Sequence, residues 1–352
     1  MKKTILLLTV VLLSSITFAQ QKDAAEKLVN EGIAYYDKGD YEGAIVRYDM
    51  ALGLDSNNVV AYVEKAMTLL ALKKYEETID CCRKTIEKFP GNESLATLYV
   101  TYGNVYDEIK KTDKSVDIYN EGLKLFPDYY QLHFNKGITY ASVKKYDEAI
   151  ACFQQALLLN ANHPGSHNAL ARMLDTKHIR IPALLAYFRF MALEPQSKRA
   201  KSNLEFIQQI MKGNVEQKDK KTININISSD MLPGNGAPTE NNFSIIDMIL
   251  SMDAALDYDK KYKDKTEIEQ FLRKFDHICT SLKEGKNKNS GFYWDYYAPY
   301  FIEMKDKKLT ETYVYIAFAS SDNQDVALWL KAHEVDIDKF FAWSKAFVWK
   351  KK

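Results

Sequence analysis

The sequence predicts an all-α chain: a solenoid of about five helix–turn–helix units with a capping helix, followed by a helical C-terminal domain. Three observations predict it. Gly32, Ala66, Gly103, Gly137 and Ala171 return at spacings of 34, 37, 34 and 34 residues. Tyr35, Leu69, Tyr106, Tyr140 and Leu174 each follow about one helical turn later. Ser56, Pro90, Pro127, Ala161 and Pro195 fall near the end of each unit, where proline stops a helix. One two-helix unit, copied along the chain, has an apolar face that it cannot bury alone, so the copies stack.

The units begin after an N-terminal segment of different character. Lys2 and Lys3, the apolar run Ile5 to Leu13 and the small-residue site Thr17-Phe18-Ala19 read as a secretory signal over residues 1–19. Cleavage near Ala19 is expected to export the mature chain to the periplasm or the medium. The apolar run is too short to span a bilayer, and no later segment is long enough. No Cys follows the cut, so a lipid anchor is not expected.

If the recurring small residue is the eighth position of a unit, Ala44, Thr78, Ser115, Ala149 and Ala183 are small again in the second helix. Tyr48, Cys82, Tyr119, Phe153 and Tyr187 follow four residues on and are mostly bulky. This order of small, aromatic, small, aromatic and proline positions resembles the tetratricopeptide repeat, whose units are about 34 residues long. The resemblance covers residues 25–58, 59–92, 96–129, 130–163 and 164–197 and implies a tetratricopeptide-like α-solenoid. Lys38-Gly39-Asp40-Tyr41 and Lys144-Lys145-Tyr146 occupy the inter-helix turns. Three extra residues around 93–95 are expected to lengthen the link between the second and third units. In the fifth unit Arg180 replaces the usual Tyr and Pro182 interrupts the second helix, so a distorted unit is expected there.

Residues 198–212 carry Leu204, Ile207 and Ile210 near one face and suit a cap with a polar outer side, completing a solenoid over 25–212. Residues 213–242 shift to charges, Pro, Gly and Asn and read as a linker, most clearly Met231 to Pro238. Within it, residues 222–227 alternate like a strand. A strand alone has little reason to be stable, so it pairs with something, accepts a partner strand or does not form. From 243 to 352 helical spacing returns without the repeat period, with helices expected at 243–258, 265–284, 291–305, 309–319, 323–333 and 336–349. Repeats joined to this C-terminal stretch resemble exported proteins of Bacteroidetes-type bacteria, which implies fold and export but no activity.

Formal net charge is +1, from 48 Lys and Arg against 47 Asp and Glu. Without Lys2 and Lys3 it is −1, a balance that does not favour nucleic acid. Cys81, Cys82, Cys152 and Cys279 are too few for a disulfide scaffold and lack a metal or redox spacing. They read as small buried side chains, with a disulfide from Cys81 or Cys82 to a distant cysteine, or a functional thiol, as the alternatives. His133 and His167 hold the fourth position of their units, a packing position, and read as core histidines with satisfied nitrogens. No phosphate loop, dinucleotide motif, nucleophile elbow or zinc-protease helix occurs, so neither enzyme activity nor a cofactor or metal is expected.

Function is therefore sought on the inner face of the first helices. The resemblance places positions two, five, nine, twelve and thirteen of each unit along a concave groove. Val29, Ile33, Tyr36, Val63, Met67 and Leu70 make its apolar stretch, and Asn104, Asp107, Glu108, Ser142, Asn168, Arg172 and Asp175 its polar stretch. Such a groove fits an amphipathic helix or extended peptide of a protein partner, and the alternative is that the C-terminal domain or the chain's own helices fill it. Members that hold a chaperone's C-terminal carboxylate use Lys and Asn at positions five and nine of the first unit. Val29 and Ile33 stand there instead, so that activity is not implied. The expected role is a protein-interaction scaffold of the bacterial envelope. The alternative is a carbohydrate- or peptidoglycan-related binder or enzyme built on the aromatic segment Phe292, Tyr293, Trp294, Tyr296, Tyr297, Tyr300 and Phe301. Part of that segment must pack internally. The rest packs on the repeats, meets a partner or stacks on a sugar.

Overall fold

A computed structural model describes residues 2–213, 215–218, 222–225 and 240–350, with side chains from residue 19 onward. Among the described residues the chain is all-α apart from one short hairpin and an isolated bridge between Glu240 and Ser290. It falls into two compact units, Met1–Lys145 and Tyr146–Lys352.

The first unit contains α1 (Lys2–Asp37), α2 (Tyr41–Leu54), α3 (Val59–Ala71), α4 (Tyr75–Lys88), α5 (Leu95–Glu108), α6 (Thr112–Leu125) and α7 (Tyr130–Ser142). Each helix packs on the next, and the first helices of successive repeats also adjoin, α1 on α3, α3 on α5 and α5 on α7. The recurring small residues make this approach possible. A Cβ on Gly32 would overlap the ring of Tyr48, and one on Gly103 would overlap Tyr119. Where Ala66 replaces glycine, the facing bulky position holds the smaller Cys82, and both are fully buried.

The period also appears in the backbone. Gly39, Lys73, Lys110 and Lys144 all have φ between 59° and 80°. Each closes the first helix with the same pair of bonds, for example Lys73 N–H to the Leu70 carbonyl and Lys74 N–H to the Leu69 carbonyl, both at 2.9 Å. This left-handed closure satisfies helix-end carbonyls that would otherwise lack partners. Residues 89–94 link the second and third repeats, a longer connection than 55–58 or 126–129, where the extra residues were expected.

The second unit contains α8 (Tyr146–Leu159), α9 (Pro164–Thr176), α10 (Arg180–Leu193), α11 (Lys198–Met211), α12 (Ser244–Ala255), α13 (Glu267–Gly285), α14 (Phe292–Tyr296), α15 (Ala298–Asp306), α16 (Thr310–Ala317), α17 (Gln324–Ala332) and α18 (Glu334–Ala346). The fifth repeat is not distorted: α10 is continuous from Arg180, and His178 repeats the left-handed closure at φ 59°. Pro182 lies in the first turn of α10, where its missing N–H has no intrahelical partner to lose. Arg180, in place of the usual Tyr, ion-pairs with Asp247 of α12 at 2.8 Å and donates to the Ile210 carbonyl.

Every residue of α10 from Ile181 to Ala192 is buried. A helix apolar on all sides must be surrounded, and Phe188 meets Phe271, Phe275, Phe301 and Tyr313 edge-on or nearly so. The alternating segment does form a strand: β2 (Ile223–Ile225) pairs antiparallel with β1 (Val215–Gln217), Val215 opposite Ile225, and both pack on α12. The Met231 to Pro238 stretch read as linker lies outside the described residues. The final helix stops at Ala346 rather than 349. The extended tail then lays Trp349 against Tyr296 and Tyr300, with ring centroids 4.7 and 5.1 Å apart.

Candidate binding groove

The adjoining first helices of the first unit present the groove positions in rows, with unequal access. Val29 and Val63 are buried in the core beneath the groove. Ile33, Tyr36, Met67 and Leu70 are half-buried, so each keeps a solvent face. Val60 at 46% exposure and Ile138 at 39%, at positions two and nine of their repeats, extend the apolar surface beyond the expected residues. Asn104 is tied down by the Tyr119 hydroxyl, which donates to its Oδ1 at 2.6 Å. Asp107 is half-buried, Glu108 is exposed, and the exposed Ser142 donates to the Thr139 carbonyl at 2.8 Å.

The electrostatics of this surface are acidic. Burial, then the charge of Asp37, pushes the Glu64 carboxyl up. Burial also raises Asp107, against the nearby Lys110. Tyr36 is raised by burial and then by Tyr41, Glu64 and Asp37. Asp37 and Glu64 are not among the groove residues the sequence predicts. Asp37 occupies position thirteen, as Glu108 does, so the repeat register pointed to it. Glu64 lies one residue beyond position five, and only the packing of α1 on α3 brings it beside Tyr36.

The fifth-repeat positions belong to the second unit, and Asn168 and Arg172 meet the chain's own cap. Asn203 of α11 donates to Asn168 Oδ1 at 2.9 Å. The Arg172 guanidinium lies 5.6 Å from the centroid of the Phe206 ring, and burial raises the carboxyl of half-buried Asp175.

The aromatic segment is interior. Tyr293, Trp294, Tyr296, Tyr297, Tyr300 and Phe301 are all at most 5% exposed. Their polar atoms are spent inside the unit: Tyr296 Oη donates to the Leu157 carbonyl at 3.0 Å, and Trp294 Nε1 donates to the Asn242 carbonyl at 2.9 Å. Trp294 also stacks on Phe243 at 4.5 Å. Sugar stacking needs an open ring face, so burial leaves only the half-buried Phe292 of the seven rings with surface to offer. His167, expected to be a satisfied core residue, is fully buried. It holds the Ala161 carbonyl at 3.0 Å through Nε2 and the Tyr297 hydroxyl at 2.7 Å through Nδ1. Cys81, Cys82 and Cys279 are free thiols, and burial raises the pKa of each.

Profiles described as tetratricopeptide repeat match residues 96–129 and 130–163, and one described as TPR repeat matches 32–73. The chain contains tetratricopeptide repeats. Among curated proteins these repeats are similar to Protein STIP1 homolog of Dictyostelium discoideum, 28% identical over 36% of this chain and 28% of that protein. They are also similar to the Small glutamine-rich tetratricopeptide repeat-containing protein of the same organism, 28% identical over 30% of this chain and 31% of that one. The similarity spans less than a third of each relative's length. Among solved structures the chain is similar to the thermophilic TPR protein TTC0263 of Thermus thermophilus, with TM-score 0.45 and 19% identity over 53% of this chain and 99% of that one. It is likewise similar to pilF of Pseudomonas aeruginosa, with TM-score 0.48 and 19% identity over 72% of this chain and 99% of that one.

Proposed function

We propose that this protein is an interaction scaffold of the bacterial envelope that holds a helix or peptide of a partner protein across α1, α3, α5 and α7. The observation that carries this reading is the row Ile33, Tyr36, Met67 and Leu70, half-exposed on successive first helices of one stacked array. Apolar side chains kept partly in water on a preformed surface are what a helix-in-groove contact uses. The N-terminal composition supports export, with a mature chain beginning near Gln20. The deciding experiment is crosslinking and pull-down from the native envelope with the wild type and Met67→Gln/Leu70→Gln. Loss of the captured partner in the double variant, with its circular dichroism unchanged, is the expected result. Undiminished capture removes the groove from the proposal, and recovery of the chain solely from the cytoplasm with an intact N-terminus removes the export.

A further inference from the structure

Charge along the same groove identifies the chemistry of its occupant, an inference that rests on the groove reading above. The inner-face positions of α1, α3, α5 and α7 hold Glu26, Asp37, Asp107 and Glu108, and no Lys or Arg. Two lysines of α3 and α7 reach to the second helices instead. Lys65 ion-pairs with Asp49 of α2, and Lys136 donates to Asn120 of α6 at 2.7 Å. Away from the groove several acids are matched by cations: Glu31 by Arg47 at 3.2 Å, Glu42 by Lys74 at 3.2 Å, and Asp80 by Arg83 at 2.9 Å and Lys84 at 2.6 Å. Inside the groove Glu64 and Asp37 instead feel one another. The surface thus combines an apolar row with carboxylates that no Lys or Arg of the inner-face positions meets, although Lys110, in the turn after α5, lies near Asp107.

We propose that the groove takes a Lys- or Arg-bearing amphipathic helix, its apolar side on Ile33, Met67 and Leu70 and its cations toward Asp37, Glu64 and Asp107. Opposite charge brought against these carboxylates steers association and selects the partner. An acidic segment meets like charge on the same surface and is rejected.

The test uses the full chain and two labelled amphipathic peptides with one shared Leu pattern, the polar positions all Lys in one and all Glu in the other. Anisotropy titration is expected to show binding of the Lys peptide, weakened roughly tenfold on raising salt from low to high ionic strength. Asp37→Asn/Asp107→Asn is expected to weaken it by a similar factor while leaving circular dichroism unchanged. The Glu peptide is expected to bind far more weakly than the Lys peptide. Equal binding of the two peptides, binding of neither, or indifference of the Lys peptide to the double variant overturns the inference. Met67→Gln/Leu70→Gln separates this failure from that of the groove itself. If both peptides bind equally and both are lost in that variant, the groove stands and its charge selection falls. If binding survives that variant, both fall.

Discussion

Lys73, Lys110, Lys144 and His178 show how a single residue is constrained by its place in a repeat. Each sits with φ near 60°, a region costly for residues with a Cβ, while the equivalent Gly39 carries no such cost. The closure bonds require that conformation whatever the side chain, so the first repeat uses the residue best suited to it and the others bear strain. Lys73 and Lys144 are exposed, so replacing them removes no packing. Lys73→Gly and Lys144→Gly are each expected to stabilise the chain by about 0.5–1 kcal/mol, the relieved strain less the added freedom of the unfolded chain. Thermal midpoints of the two variants measure this, and a fall in both would show that the lysines contribute contacts outweighing the strain.

At the scale of elements, α9 is joined to Tyr297, the residue between α14 and α15, by a neutral imidazole. Burial first, and then the Arg189 guanidinium, holds His167 at a pKa of about 3, against an ordinary value of 6.5. The unfolded chain takes up a proton below pH 6.5 while the folded chain does not, so this contribution is intact above that pH. It falls by about 1.4 kcal/mol for each pH unit as the pH drops from 6.5 toward 3. Urea midpoints at pH 7.5 and pH 5 should therefore separate more for the wild type than for His167→Gln. Equal separations would mean that the folded protein protonates His167 as readily as the unfolded chain. Arg189 itself is a cation set within the buried, otherwise apolar stretch of α10. It is held by Tyr300 at 3.0 Å, Ser344 at 2.8 Å and Asn162 at 2.8 Å, so α10 is anchored to α15, α18 and the turn before α9.

At the scale of the whole molecule, the second unit is organised around α10 rather than around a repeat. Phe271, Phe275, Phe301 and Tyr313 from three later helices close on Phe188, and the Tyr313 hydroxyl donates to the Phe188 carbonyl at 2.9 Å. Ending the chain at residue 240 would expose this surface, and large apolar patches left in water destabilise and aggregate. The shortened chain is expected to bind a hydrophobic dye and to lose the cooperative transition of the second unit. Retention of a sharp transition without dye binding would show that the fifth repeat and its cap are stable without the later helices.

The repeat architecture was legible because it is local: a small residue every 34 positions, a bulky one facing it and a stop after each pair depend on near neighbours alone. The groove rows followed from the same register, which placed Ile33, Met67, Asp107 and Glu108 on successive first helices. What the register could not show was depth. Val29 and Val63 share positions with half-exposed residues yet lie buried, because access depends on how far adjacent helices close. The aromatic segment illustrates the larger limit. Its rings cover nearly every side of their helices, so composition alone left core, partner surface and sugar platform all open. Long-range packing against α8, α10 and the tail decided between them, since burying those rings is favourable only where hydroxyls and the indole N–H find partners. The sequence by itself determined the repeat and its turns. Only the tertiary structure decided which apolar surfaces stay in water, because that choice is made by residues distant in the chain.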